Sequence, residues 1–270
     1  HALGTAGTGG FGIKADSITS YSHFCQWVIT VFMLLFGVSF NMYYLLLIKR
    51  WREVLKSNEL KCYLGISLAA MIIVVLSIMP LYGSIADAVR LSAFQVSSIV
   101  TTTGYATADF DAWPSLAKAV LLILMFFGGC MGSTAGGLKM SRVTVLAQIA
   151  RNDLRHALRP REVSTVILNG RRVDAQGERQ ILSYFALYIA VIGAVFLLIS
   201  FEPFGIETNF SATVSCVNNI GPGFGQVGPS LSYADYSAFS KLVLSFAMLL
   251  GRLEIMPLLV LLMPSVWRRK

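Results

Sequence analysis

Three short segments rich in glycine and hydroxyl side chains interrupt an otherwise strongly apolar chain. They are residues 5–12 (TAGTGGFG), 101–107 (TTTGYAT) and 218–225 (NNIGPGFG). In hydrocarbon an unpaired backbone polar group costs several kcal/mol, so non-helical backbone is confined to protein interiors and water-filled paths. Because all three segments occupy similar positions relative to their apolar flanks, they predict a repeated loop that lines a pore.

The composition places the chain in a membrane. Its residues are 55% hydrophobic and 13% charged, with a mean hydropathy of +0.66, whereas soluble domains carry roughly 25% charged residues. A membrane-spanning helix needs about 20 apolar residues. We therefore expect an all-α integral membrane protein with five spans, at residues 24–48, 60–82, 114–127 continuing through a break into 138–149, 181–201 and 236–263.

The distribution of charge predicts the orientation. Most of the 22 lysines and arginines lie in the connections 49–61 and 139–179 and in the C-terminal WRRK, so these regions are expected to be cytoplasmic by the positive-inside rule. The net charge of +8 then follows from topology and attraction to lipid headgroups, and nucleic acid is not needed to explain it. The opposite side is acidic, with Asp87, Asp109, Asp111, Glu202, Glu207 and Asp235.

Orientation in turn requires re-entrant loops. The segment 87–107 lies between two connections that must be on the same side, and it is too short to cross in addition to the spans around it. We predict a half-helix at 87–100 that enters from the acidic side, followed by an extended return at 101–107. The stretch 207–228 repeats this arrangement, and residues 1–12 look like the end of a third copy. The expected units are 1–58, 59–160 and 161–270, each made from span and pore loop.

Such a loop is suited to cations. The C-terminal end of an inward-pointing half-helix carries a partial negative charge, and carbonyls of the return strand can replace the hydration shell of an alkali ion. The three loops resemble the second, third and fourth filter loops of the Trk/Ktr/HKT superfamily of potassium transporters. The ending GRLEIMPLLVLLMPSVWRRK is similar to the bacterial TrkH-type pore subunit.

That resemblance implies a pseudo-fourfold ion pore in which each of four loops contributes one glycine. The matching glycines are Gly9, Gly104 and Gly221. It also implies that potassium, the transported ion, is held by backbone carbonyls, and that the chain is the C-terminal portion of a longer protein whose first repeat is absent here. Sodium or mixed permeation is the alternative. The expected filter residues are Thr8, Gly9, Gly10, Thr102, Thr103, Gly104, Tyr105, Asn219, Ile220, Gly221 and Pro222.

A second glycine cluster, GGCMGSTAGGLK at 128–139, interrupts the third span. It can be a close-packing site for a neighbouring helix or, as the resemblance implies, an intramembrane loop that blocks the pore below the filter. Arg252 lies inside the last apolar run, and we expect it to bond carbonyls of this loop rather than Glu254, because residues two apart on a helix do not face each other. Lys139 is expected to snorkel or to cap carbonyls. The expected gate residues are Gly128, Gly129, Gly132, Ser133, Thr134, Gly136, Gly137, Lys139 and Arg252.

The resemblance further implies a homodimer of full-length subunits in the bacterial inner (plasma) membrane, regulated by a cytosolic nucleotide-binding subunit. A membrane-embedded enzyme or scaffold is the alternative class, but an enzyme needs clustered acidic, histidine or cysteine side chains. The chain instead offers glycine, hydroxyls and carbonyls, so we expect no enzymatic activity and no cofactor. Gly7–Gly12 fits GxGxxG, yet a membrane span follows it, which argues against a dinucleotide site. The cysteines Cys25, Cys62, Cys130 and Cys216 lack CxxC spacing and are expected to be small buried hydrophobic residues.

Overall fold

A computed structural model describes residues 1–14, 16–159, 161, 165–262 and 267. The C-terminal Arg268, Arg269 and Lys270 and the predicted end of the last span, Met263, lie outside the described residues. The described residues form twelve α-helices and one hairpin of two short antiparallel strands, β1 (Ile167–Leu168) and β2 (Arg171–Arg172). The helices are α1 Ala2–Ala6, α2 His23–Phe36, α3 Phe40–Leu47, α4 Trp51–Lys56, α5 Asn58–Tyr82, α6 Ile85–Val100, α7 Ser115–Leu124, α8 Met140–Leu158, α9 Ala175–Ile199, α10 Ile206–Val217, α11 Ala238–Arg252 and α12 Ile255–Leu262.

Helices α5 and α9 are continuous and confirm two of the predicted spans. Each has 25 residues, which at 1.5 Å per residue exceeds the ~30 Å of a bilayer core. Side-chain caps define their starts: Ser57 accepts from the N–H of Leu60, and Asp174 accepts from the N–H of Gly177. An apolar stripe on α5 faces outward, with Leu64, Leu68, Ile72 and Leu76 at four-residue spacing and 49–68% exposed. These side chains form an exposed apolar surface.

Helices α6 and α10 are the two predicted half-helices, and both are followed by non-helical returns. Residues 91–100 of α6 and 211–217 of α10 are all buried, so the half-helices lie within the protein rather than against lipid. Their hydroxyl side chains bond backbone carbonyls one turn earlier, as Ser97 does to Ala93 O (2.6 Å) and Thr213 to Asn209 O (2.9 Å). These hydroxyl groups are therefore satisfied within the buried part of each half-helix.

Three predicted spans are not straight helices, and only one of these breaks was expected. The third span is interrupted between α7 and α8, as predicted, although α8 continues to Leu158. The first span, predicted as one helix, bends by 90° between α2 and α3. The last span breaks after α11, where Glu254 adopts a left-handed conformation with φ 62°. The prediction of single helices at 24–48 and 236–263 was therefore wrong.

The bend between α2 and α3 has a tertiary cause. The carbonyl of Gly37 accepts a hydrogen bond from Cys130 N (2.8 Å), and the N–H of Phe40 donates to Gly132 O (3.1 Å). Both partners belong to the glycine-rich segment 128–139. Backbone groups released by the bend are thus paired with backbone groups of that segment, which satisfies both non-helical stretches at membrane depth.

Helix α11 approaches the end of half-helix α10 closely at Gly251, where a methyl group would overlap the carbonyl oxygen of Val217. We expect Gly251→Ala to force the two helices apart and to lower the free energy of unfolding by about 1–3 kcal/mol. Gly65→Ala on α5 is the matched control, because no described atom lies within 4 Å of the added methyl. Thermal unfolding of the full-length protein in detergent measures both, and equal stability of the two variants would contradict the close approach.

Candidate functional site

The three glycine-bearing loops end their helices with the same hydrogen-bond pattern. In each loop the third residue after the helix donates its N–H to a carbonyl five residues earlier. The three bonds are Gly9 N to Gly4 O (2.8 Å), Thr103 N to Ser98 O (2.8 Å) and Ile220 N to Ser215 O (2.9 Å). The loops are therefore copies of one local structure, built from three different sequences.

Backbone dihedral angles repeat with the same register. The second residue after each helix has positive φ although it is not glycine, and the fourth is a glycine with positive φ. The values are 50°, 54° and 57° for Thr8, Thr102 and Asn219, and 65°, 84° and 111° for Gly10, Gly104 and Gly221. Left-handed conformation is costly for residues with a Cβ and free for glycine. Each loop is thus a strained turn completed by a glycine.

This register corrects one sequence-based match. Counted from the helix end, the equivalent of Gly104 and Gly221 is Gly10, not Gly9. Gly9 takes the place of Thr103, and a methyl group on it would meet mainly the ring of Phe11 at 3.1 Å. The TGG sequence offered two adjacent glycines, and only the hydrogen-bond register distinguishes them.

The loops contact one another in chain order. A methyl group at Gly10 would overlap the carbonyl oxygen of Thr103, and one at Gly104 would overlap the carbonyl oxygen of Ile220. In both cases the carbonyl belongs to the residue before the next loop's glycine. Each turn therefore contacts the next turn along the chain in the same way. The close backbone contact requires glycine at both Gly10 and Gly104.

Side chains outside the expected filter set support two of its carbonyls. Ser98 donates its hydroxyl to the carbonyl of Tyr105 (2.6 Å), and Tyr233 donates to the carbonyl of Gly221 (2.8 Å). The Tyr105 side chain is fully buried, with its hydroxyl 3.4 Å from Phe11 O in the neighbouring loop. Tyr105 thereby ties the first two loops together behind their glycines.

The segment 128–139 is a loop whose neck is closed by its own backbone. Gly128 N donates to Leu138 O (2.9 Å), Leu138 N to Phe126 O (3.3 Å) and Met140 N to Gly129 O (3.1 Å). We call residues 128–139 the intramembrane loop. A methyl group at Gly128 would overlap the carbonyl oxygen of Gly136, so the neck closes only because glycine occupies this position.

The intramembrane loop lies against all three glycine-bearing turns. Thr8 donates its hydroxyl to Thr134 O (2.9 Å), and Gly136 N donates to the hydroxyl of Thr102 (2.6 Å). A methyl group on Gly136 would lie 2.5 Å from the carbonyl oxygen of Asn218. Two residues of the loop, Thr134 and Gly136, therefore contact three successive turns, and the loop crosses the ends of the half-helices.

Arg252 joins α11 to this arrangement. Its guanidinium donates to Thr134 O (2.8 Å) and to Gly7 O (3.3 Å), so the expected bond to a carbonyl of the intramembrane loop is confirmed. Glu254 pairs instead with Arg142 of α8 (2.8 Å). Lys139 donates to Ala135 O and so caps a loop carbonyl, which is one of the two roles expected for it.

A cavity of about 530 Å³ opens beside the intramembrane loop. Its charged lining comprises Lys139, Arg142, Arg252 and Glu254, and Tyr184 also faces it. Arg142 stacks over the ring of Tyr184 at 3.8 Å, which fixes its position beside Glu254. With three cationic side chains and one carboxylate, the cavity disfavours a small cation next to the loop.

Sequence reasoning missed the support that Gly37 gives to the intramembrane loop. Its carbonyl accepts from Cys130 N, and a methyl at Gly37 would overlap the hydroxyl of Tyr63. The sequence does carry a signal for this bend. In GVS at 37–39, a glycine and a serine that can precede a helix stand inside an apolar run.

The chain matches the family model for TrkH, described as a cation transport protein, over residues 1–268. It belongs to the TrkH family. The solved structure of the potassium transporter TrkH from Vibrio parahaemolyticus superposes with a TM-score of 0.90 at 30% identity, over 98% of this chain and 58% of that one. The mostly helical membrane fold of this TrkH-family chain is therefore shared with a solved relative.

Relatives of the TrkH-family chain carry the name Trk system potassium uptake protein. TrkG of Escherichia coli K12 is 30% identical over 99% of this chain, and TrkI of Halomonas elongata is 31% identical over 100% of it. These matches cover 56% and 55% of the two relatives. The TrkH-family chain thus spans just over half the length of the relatives it matches.

The glycine register gives a direct test in the full-length TrkH-family protein. We expect Gly10→Ala to abolish monovalent cation flux into reconstituted vesicles, because its methyl would overlap the backbone of Thr103 at positive φ. Gly9→Ala is the control: its methyl meets only the side chain of Phe11, which is 86% exposed and can move. Equal loss of flux in both variants would contradict the assignment of Gly10.

Proposed function

We propose that this chain is the larger part of a channel-like, pore-forming subunit for potassium uptake. The observation that carries the proposal is the ring-like succession of glycine turns, with Gly10 against Thr103 and Gly104 against Ile220. The names of the relatives, which specify potassium uptake by the Trk system, support it. These names describe transport and no catalysed reaction, in agreement with a protein that is not an enzyme.

Potassium is the cargo, held by backbone carbonyls at the filter turns and by no cofactor. The residues proposed to line its path are the filter set Thr8 to Gly10, Thr102 to Tyr105 and Asn219 to Pro222. A half-helix end points its partial negative charge toward each turn, and carbonyl dipoles substitute for hydration water. Sodium permeation remains the alternative, and ion competition decides between them.

The ring has one open side, at Gly221. No described atom lies within 4 Å of a methyl group placed there, whereas Gly10 and Gly104 each abut the next loop. We propose that a further loop of the whole protein completes a pseudo-fourfold filter at this side. Within the chain, the three proposed units are 1–58, 59–160 and 161–270. The coverage of 56% of TrkG leaves room for such a unit.

The intramembrane loop is proposed to be the gate. It crosses the ends of the half-helices, where it obstructs the path from the filter. Arg252 holds it through Thr134 O and also donates to Gly7 O of the first filter loop. The guanidinium also places a positive charge beside the path, which raises the energy of a passing cation. Opening requires the loop to leave Thr8 and Thr102, the hydroxyls that bond it now.

The membrane location, orientation and partners of the subunit are also proposals. We propose that it resides in the bacterial inner membrane with the basic connections and the C-terminus cytoplasmic. We further propose that full-length subunits form homodimers and that a cytosolic nucleotide-binding subunit contacts the basic segment 151–172. The lipid bilayer is the remaining partner, and nucleic acid is not among them.

Growth rescue tests the function. We expect the full-length protein to restore growth of an uptake-deficient host at limiting potassium. Gly104→Ser, whose side chain would overlap Ile220 O, should lower the preference for potassium over sodium at least about tenfold, equivalent to ~1.4 kcal/mol. Gly205→Ser is the control, since its φ of −65° and helix N-cap position suit serine. Absence of rescue by the unmodified protein would refute potassium uptake.

Arg252 tests the gate separately. Arg252→Ala should raise potassium flux severalfold, because it removes both the bonds to the intramembrane loop and the positive charge. Arg252→Lys keeps the charge but loses the forked geometry, so its flux shows which effect dominates. Flux assays in vesicles of the full-length protein supply both values. If Arg252→Ala leaves flux unchanged, Arg252 has no part in closing the path.

A further inference from the structure

A buried carboxylate anchors the intramembrane loop from the side opposite Arg252. Glu59, in the first turn of α5, is 3% exposed. Its Oε1 accepts from Met131 N (2.5 Å), within the loop, and from Ser141 N (3.1 Å), in the first turn of α8. One oxygen atom therefore joins α5 to the loop and to the helix that follows it. Bonds from N–H groups to a charged acceptor are the stronger class of hydrogen bond.

The start of α5 is in turn held by the hairpin of β1 and β2. Asn169, in the hairpin turn with φ 49°, accepts from the hydroxyl of Ser57 (2.9 Å) and from Glu59 N (3.4 Å). The hairpin is also fixed to α8, since Gln148 exchanges two bonds of 3.0 Å with the backbone of Ile167. The turn thus contacts the same first turn of α5 that carries Glu59.

We propose that Glu59 is a positioning residue that holds the intramembrane loop in place, and that Asn169 couples the hairpin to it. The inference deepens the gate and rests on the proposed function. Because a single Glu59 oxygen serves both Met131 and Ser141, a small shift of the start of α5 weakens both bonds together. A hairpin pulled from α5 therefore loosens the loop.

The loop contains its own reporter, Cys130. This thiol is fully buried, and its backbone bonds Gly37 in the bend between α2 and α3. Cys216, fully buried in half-helix α10, lies outside the loop. Release of the loop exposes Cys130 alone, whereas general loss of structure exposes both cysteines. The ratio of the Cys130 modification rate to the Cys216 modification rate therefore separates positioning of the loop from a contribution to folding.

The experiment measures alkylation of Cys130 and Cys216 by N-ethylmaleimide in the full-length protein, peptide by peptide. We expect Glu59→Ala to accelerate modification of Cys130 about tenfold or more, since two buried donors lose a charged acceptor. Cys216 should react at the unmodified rate. Glu59→Gln retains an oxygen acceptor at the same length, so its Cys130 rate should fall between those of the unmodified protein and Glu59→Ala.

Asn169→Ala tests the coupling to the hairpin. It should accelerate modification of Cys130 in the same direction but by a smaller factor, because Glu59 itself remains. Asn152→Ala, on α8 and outside this network, is the matched control and should leave the rate unchanged. An Asn169→Ala rate equal to that of the control would overturn the coupling, and the anchoring by Glu59 would then stand alone.

Two results overturn the anchoring itself. One is an unchanged Cys130 rate in Glu59→Ala, and the other is equal acceleration of Cys130 and Cys216, which assigns Glu59 to folding. Potassium flux measured on the same samples keeps this inference distinct from the proposed function. Flux absent from every variant, with Cys130 still responsive, refutes uptake but not the position of the loop. Flux present with Cys130 unresponsive refutes the anchoring alone.

Discussion

The pairing of backbone polar groups away from water is the constraint on which this fold depends. Each non-helical stretch between the apolar helices finds its partners in another such stretch. The bend at Gly37 bonds Cys130 of the intramembrane loop, and that loop bonds the hydroxyls of Thr8 and Thr102. Because an unpaired group at this depth costs several kcal/mol, the bend, the intramembrane loop and the filter turns are stable only together.

Glycine makes those pairings possible because it has no Cβ, which allows two backbones to approach closely. Gly10 and Gly104 each abut a carbonyl of the next filter loop, and Gly128 abuts Gly136 across the neck of the intramembrane loop. At Gly10 and Gly104 positive φ adds a second requirement for glycine. The same residue type thus shapes the glycine-bearing turns and the intramembrane loop, which is why both stood out in an apolar sequence.

The half-helices could be predicted from sequence because 87–107 is too short to cross the membrane and too apolar to be solvated. The spans α5 and α9 were equally predictable from length and composition. The bend at Gly37 was not, since its cause is a partner more than ninety residues away. Glu59 was also missed, because in a basic connection it resembles a solvated charge; only the tertiary fold buries it. Gly10 needed the hydrogen-bond register, which no count of residues supplies.

The intramembrane loop is held by side chains of opposite charge acting on its backbone: Arg252 donates to Thr134 O, and Glu59 accepts from Met131 N. Hydrogen bonds to charged groups contribute about 1.5–3 kcal/mol each, so loss of either changes the ratio of two loop positions by roughly ten- to 150-fold. The position of the proposed gate is therefore set by a few hydrogen bonds to Met131 and Thr134, two residues inside one loop.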